Sequence, residues 1–303
     1  MKQNDHDISD RKPIRNIRTE NPQQQAIHDV AVKRQDDFKD VVVNASKSVI
    51  DDATYAELER GFASGNLTRV EEAFDWDKFG VMLLFSEVSY RQTMEDTGRA
   101  LAKVVPQLRE VNPDLLQPRP DQWIRERGAE LVTNISNSTR LALRSSIREY
   151  HKMGVHPYAS AREIGNMVGM NQRQATASVN LRNRLVAQGV PQAEVIRRVQ
   201  DYNERAIEYR GEVIGRTESL KASNHAQQEM TMQAVERGLI NPNLTRKEWM
   251  ATLDDRVSEE CEEAHGQQVR INEPFDHPLG LFDEPPAFPN CRCTTILVFL
   301  DEQ

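Results

Sequence analysis

The run PQAEVIRRVQDYNERAIEYRGEVIGRTESLKASNHAQQEMTMQAVERG, residues 191–238, has its only proline at its first position. Val195, Val199, Tyr202, Ala206, Tyr209 and Val213 recur within it at alternating steps of four and three, which places them on one face of a helix. Pro191 suits a first helical turn, where the N–H it lacks would have had no partner. The spacing predicts a helix from about 191 that continues past Arg216 towards Gly238. A seam of that length needs another helix to cover it.

Upstream, Ser160 with Glu163 and Asn171 with Gln174 have the spacing of capping boxes, so helices are expected to start near 161, 172 and 191. Two short capped segments followed by Arg173, Arg182 and Arg184 resemble a DNA-reading helix–turn–helix. Without a dense basic array beside them, a plain helical hairpin is the better reading. Over residues 36–155, Trp123, Ile124, Leu131, Ile135, Ala142, Ile147 and Tyr150 predict one long amphipathic helix. Trp76, Phe79, Leu83, Leu84, Val88 and Leu101 predict another before Pro106, Pro113, Pro118 and Pro120 break the chain. Both stripes are read as core. Residues 1–35 are polar, with three consecutive glutamines and few spaced apolar positions, and are expected to be a disordered arm.

Downstream of Pro242 the texture changes. Strands are expected near Lys247–Leu253 and at Thr294–Leu300, with Gly266, Pro274, Pro278, Gly280, Pro285, Pro286 and Pro289 between them. The fold expected is mainly α with a small α+β C-terminal module: long amphipathic helices, and a few short strands near the C-terminus. Its divisions are an arm at 1–35, a helical N-terminal domain at 36–155, and a C-terminal domain at 156–303, helical to 240 and loop-rich from 241.

The net charge of −8 is unevenly placed. Residues 251–303 hold twelve acidic residues against Arg256, Arg270 and Arg292, leaving the other 250 residues close to neutral. A broad nucleic-acid footprint needs a basic excess that no segment supplies. No stretch approaches the ~20 apolar residues of a membrane span, and no secretory signal is seen at the N-terminus. All three cysteines fall in the last 43 residues, an odd number that suits free or metal-bound thiols better than a disulfide framework.

Those cysteines form the one constellation with chemical content. Cys261 and His265 are four apart and would share a helical face; Cys291 and Cys293 are two apart at the edge of the last strand. Four such ligands could hold a tetrahedral zinc that staples a module short of apolar core, with His277 as a spare ligand. The competing reading is three buried thiols without metal, and no other cofactor is expected. Catalysis is not expected: HExxH, GxSxG, a phosphate-cradling GxxxxGK[ST] and an EF-hand loop are all missing. Glu259, Glu260, Glu262 and Glu263 around Cys261 are expected to raise its thiol pKa and disfavour a nucleophilic thiolate. The alternative functions are a metal-dependent DNA-processing enzyme using Asp254, Asp255 and His265, or a zinc-stapled interaction module.

The segments RGEVIGRTESLKASNHAQQ, KEWMATLDDRVSEECEEAHGQ and PPAFPNCRCTTILVF, in that order, resemble the C-terminal module of Mu F-like phage head morphogenesis proteins over about residues 158–300. The likeness rests on Arg216-Thr217-Glu218, Trp249, Asp254 with Arg256, Gly266, and the run Pro289, Asn290, Cys291, Arg292, Cys293. Two positions depart from the family pattern: Ser258, where a cysteine is common, and Phe288, where a histidine is. The resemblance implies a structural minor head protein of a tailed phage. Such a protein is placed in the virion at or near the portal vertex after assembly in the host cytoplasm. Portal and major capsid proteins would be its partners, and packaged DNA a further candidate. Within that reading, Arg216 or Glu218 is expected to anchor the module to the long helix through Asp254, Asp255 or Arg256.

Overall fold

The computed structural model describes residues 17–111 and 114–301. Its long helices are α1 (Pro22–Ser48), α4 (Val81–Val104), α5 (Pro118–Lys152) and α8 (Gln192–Glu236). Between them lie α2 (Asp52–Ser64), α3 (Leu67–Glu72), α6 (Pro157–Gly165) and α7 (Gln172–Ala187). The C-terminal module adds β1 (Thr245–Met250), α9 (Glu259–Ala264), β2 (Gln268–Arg270), β3 (Phe275–His277), β4 (Gly280–Phe282) and β5 (Thr294–Phe299). The chain is mainly α, and among the described residues the strands lie in the C-terminal module.

Packing divides the described residues into two compact units that interleave in sequence, one of 40–86 with 126–211, the other of 17–39, 87–125 and 212–301. That differs from a split at 155. Because α1, α4, α5 and α8 each contribute to both units, no single linker separates them.

In the first unit, Asp51 caps α2 by accepting from the Thr54 N–H, and Gly65 ends the helix in the left-handed region at φ 67°. The box of Asn171 and Gln174 opens α7 as expected. The box at 160 does not form. Pro157 behind His156 opens α6 earlier, and Ser160 and Glu163 fall inside that helix, both buried. Glu163 instead accepts from the Tyr150 hydroxyl at 2.6 Å and faces Arg182 at 3.2 Å. Arg182 is thereby turned inward, as suits a helical hairpin and not a DNA-reading pair.

The seam of α8 in this unit also differs in detail. Val195, Val199 and Ala206 are buried, but the third place belongs to Asn203, which is fully buried and hydrogen-bonded to the Ser178 hydroxyl at 2.6 Å. Tyr202 and Tyr209 are half-buried beside it. At 100° per residue the line through 202 spans an arc of about 60° and the line through 203 about 80°, so spacing alone favours Tyr202, and it is the hydrogen bond to Ser178 that accompanies the burial of Asn203.

In the second unit, residues 22–35, expected to belong to a disordered arm, form the first turns of α1 and bury Ile27, His28, Val30 and Ala31. Glutamines replace the missing apolar periodicity: Gln23 Oε1 accepts from the Leu297 N–H, and Gln24 Nε2 donates to the Ala251 carbonyl. The rest of the expected arm, residues 1–16, lies outside the described residues. Helix α8 approaches α1 so closely that a Cβ on Gly215 would stand 2.3 Å from the Gln35 carbonyl oxygen. Phe38, Tyr90, Met94, Leu115, Ile124, Ala222 and Ala226 form one core cluster.

On α4 the expected core stripe is rotated. Leu84 and Val88 are 67% and 52% exposed, with Val81 and Phe85 also outward, while Met82, Ser86, Tyr90, Met94 and Leu101 face in. Small hydroxyl residues at 86, 93 and 97 occupy the inner face and hide it from a hydrophobicity pattern.

Candidate metal centre

The C-terminal module is built on β1, which pairs antiparallel with β2 on one side and β5 on the other, placing Lys247 opposite Leu297 and Trp249 opposite Thr295. Strands β3 and β4 form a separate hairpin with His277 opposite Gly280. Trp249 is fully buried against Phe275, His277 and Phe282. Its carbonyl accepts from the Gly266 N–H at 2.8 Å, in a turn where Gly266 has φ +79°, a conformation that favours glycine. The module's core is small, comprising Trp249, Ala251, Cys261, Ala264, Phe275, Cys291 and Cys293, with Phe288 packed at its edge.

Within that core the three cysteine sulfurs lie within 4.8 Å of one another, and Cys261 Sγ stands 3.7 Å from Cys291 Sγ. Ser258, whose hydroxyl accepts from the Cys261 N–H, caps α9 and sets Cys261 at the start of the helix. Asn290, at φ 67°, turns the chain so that Cys291 and Cys293 both point inward around Arg292. Sulfhydryl donation from Cys291 and Cys293 holds the Cys261 thiol well below its usual range. The expected rise from the surrounding glutamates is reversed: Glu259, Glu262 and Glu263 are exposed, whereas the sulfhydryls are buried against one another. The same contacts, with burial, push Cys291 up to about 11 and Cys293 higher still. Only one proton therefore leaves readily.

The histidines exchange roles. His265 does not join the sulfurs; its Nδ1 accepts from the Ala251 N–H at 3.2 Å. His277, 2% exposed, lies against the Cys261 thiol, with its buried Nε2 lacking a hydrogen-bond partner. Spacing in sequence favoured His265 because it shares the Cys261 segment. Helix α9 ends at Ala264, before the turn that would have aligned the pair.

The remaining motif residues make structural contacts. Arg292 forms a two-pronged ion pair with Asp254, whose Oδ1 also accepts from the Arg256 N–H. Pro289 is exposed at the turn. The expected anchor through Arg216 or Glu218 takes another form: Glu218 accepts from the Tyr90 hydroxyl at 2.6 Å, and it is Thr217 whose hydroxyl accepts from the Asn290 N–H at 3.2 Å. Arg216 lines a small cleft with His28, Gln35, Asn290 and Arg292. The stronger anchors are residues that the sequence reading missed. Asn224 accepts from the Thr295 N–H and donates to the Cys293 carbonyl, and Gln227 accepts from the Thr295 hydroxyl at 2.6 Å. Their only sequence signal is an amide repeating at helical spacing on α8 over 224, 227 and 228.

Asp254 and His265, two of the ligands imagined for a DNA-processing enzyme, are thus engaged separately. Among the described residues the cluster able to hold a metal is the three cysteines.

Compared with known proteins, no curated protein and no solved structure matches the chain. Residues 180–296 match the family model described as Phage Mu protein F like protein, a span that holds the second half of α7, all of α8 and the module through the first half of β5. Over those residues the chain is similar to the Mu F-like family.

Proposed function

We propose that this protein is a structural minor head protein of a tailed phage, built into the head during procapsid assembly at or near the portal vertex, with portal and major capsid proteins as partners. The observation that carries the reading is the family match over 180–296. The geometry supports it, because the motif residues Thr217, Trp249, Asp254, Gly266, Asn290 and Arg292 close internal contacts. The outward Val81 and Leu84 on α4 add apolar surface of the kind used to meet other proteins.

The test is mass spectrometry of purified virions and procapsids, with imaging of the portal vertex free of imposed symmetry. Peptides of this chain are expected in both particles in few copies, with density at the portal. Their absence from particles assembled while the protein is expressed would overturn the reading.

A further inference from the structure

We infer that Cys261, Cys291, Cys293 and His277 form a structural zinc site that staples the β3–β4 hairpin to α9 and to the start of β5. The inference stands independently of the head-assembly reading.

Two thiolates on one tetrahedral zinc, each about 2.3 Å from the metal, stand about 3.8 Å apart; Cys261 and Cys291 are 3.7 Å apart. Three sulfurs at mutual distances within 4.8 Å supply three corners. A buried imidazole nitrogen without a partner, on a ring that lies against the Cys261 thiol, supplies the fourth. Leaving a buried polar atom unpaired costs about 1–3 kcal/mol, and a metal bond removes that cost.

The ligands come from three separate places, α9, β3 and the segment leading into β5. The module has few large apolar side chains, so a cross-link among these places replaces core that it lacks. Binding holds all three cysteines as thiolates, whose remaining sulfhydryl protons pass to solvent, and leaves a site of net charge −1 beside the Arg292 guanidinium. The imidazole must also change tautomer. The Leu279 N–H now donates to Nδ1 at 3.1 Å, which puts the ring proton on Nε2. Coordination through Nε2 moves that proton to Nδ1 and turns the Leu279 amide away. Leu279 lies exposed in the tight β3–β4 turn, so water can take up its amide.

The test uses the full chain, produced with zinc in the medium and purified without chelators. Elemental analysis is expected to give one zinc per chain. Replacement by cobalt is expected to give the visible absorption of a tetrahedral thiolate site. His277→Gln should weaken zinc binding ~10-fold or more, since even residues behind a ligand contribute that much, whereas His265→Gln should leave it unchanged. Circular dichroism of each variant checks folding, and the wild-type cobalt spectrum does not depend on any variant folding. Metal-free wild-type protein that takes up no cobalt would overturn the inference. So would zinc lost in folded His265→Gln and kept in His277→Gln.

Discussion

His28 illustrates how burial on α1 becomes a pH response. Its imidazole is 1% exposed beside the Thr252 hydroxyl, and burial, helped by the Arg292 charge, lowers its pKa from 6.5 to about 4. The folded protein therefore binds this proton less readily than the unfolded chain. His28 contributes stability above pH 6.5 that is lost as pH falls towards 4, by about 3 kcal/mol in full. Thermal melts of wild type and His28→Gln across pH 4–7 are expected to converge at the acid end; parallel curves would show that His28 is not the titrating group. A second residue-scale prediction concerns Tyr150, whose buried hydroxyl donates to Glu163, a carboxyl that burial holds above its usual range. Tyr150→Phe removes that donor and should cost ~2 kcal/mol in urea unfolding. An unchanged midpoint would mean that Arg182 alone satisfies Glu163.

Among the elements, α8 carries two expectations of opposite character. Val199 is fully buried among Leu185, Val195 and Val190, so Val199→Ala should cost ~2 kcal/mol, whereas Tyr202→Ala, at a half-buried site, should cost ~1 kcal/mol. Equal costs would restore the seam through Tyr202 that the spacing suggested. Gly215 gives the second. In an exposed helix Gly→Ala stabilises by ~1 kcal/mol. Here the new Cβ meets the Gln35 backbone oxygen at 2.3 Å, and backbone cannot step aside as a side chain can. Overpacking costs of ~1–3 kcal/mol are therefore expected to win, with Gly215→Ala melting below wild type. A higher melting temperature would show that α1 and α8 separate easily at this point.

For the molecule as a whole, charge sets the expectation for nucleic acid. The net charge of −8 gathers in the C-terminal module, and its Arg292 is already paired with Asp254. Phosphate neutralisation supplies most non-specific DNA affinity. A duplex mobility assay at near-physiological salt is therefore expected to show no shift below about 10⁻⁴ M protein. A shift at micromolar protein would point to a local basic face and bring packaged DNA back among the partners.

Most helix positions, the strand at 294–299 and the family resemblance were legible because each depends on near neighbours in the chain, through periodicity and a capping pair at Asn171 and Gln174. The cysteine cluster was legible in part, since 291 and 293 are adjacent on one strand edge. Tertiary structure alone decided that residues 22–35 are helical core, that Asn224 and Gln227 anchor the last strand, and that His277 replaces His265 beside the sulfurs. The physical reason is common to the first two. A buried amide is satisfied by a partner far away in sequence, Leu297 for Gln23 and Thr295 for Asn224, so its burial leaves no apolar period to read. Hydrophobic spacing shows which face of a helix is greasy; it does not show a core held together by hydrogen bonds.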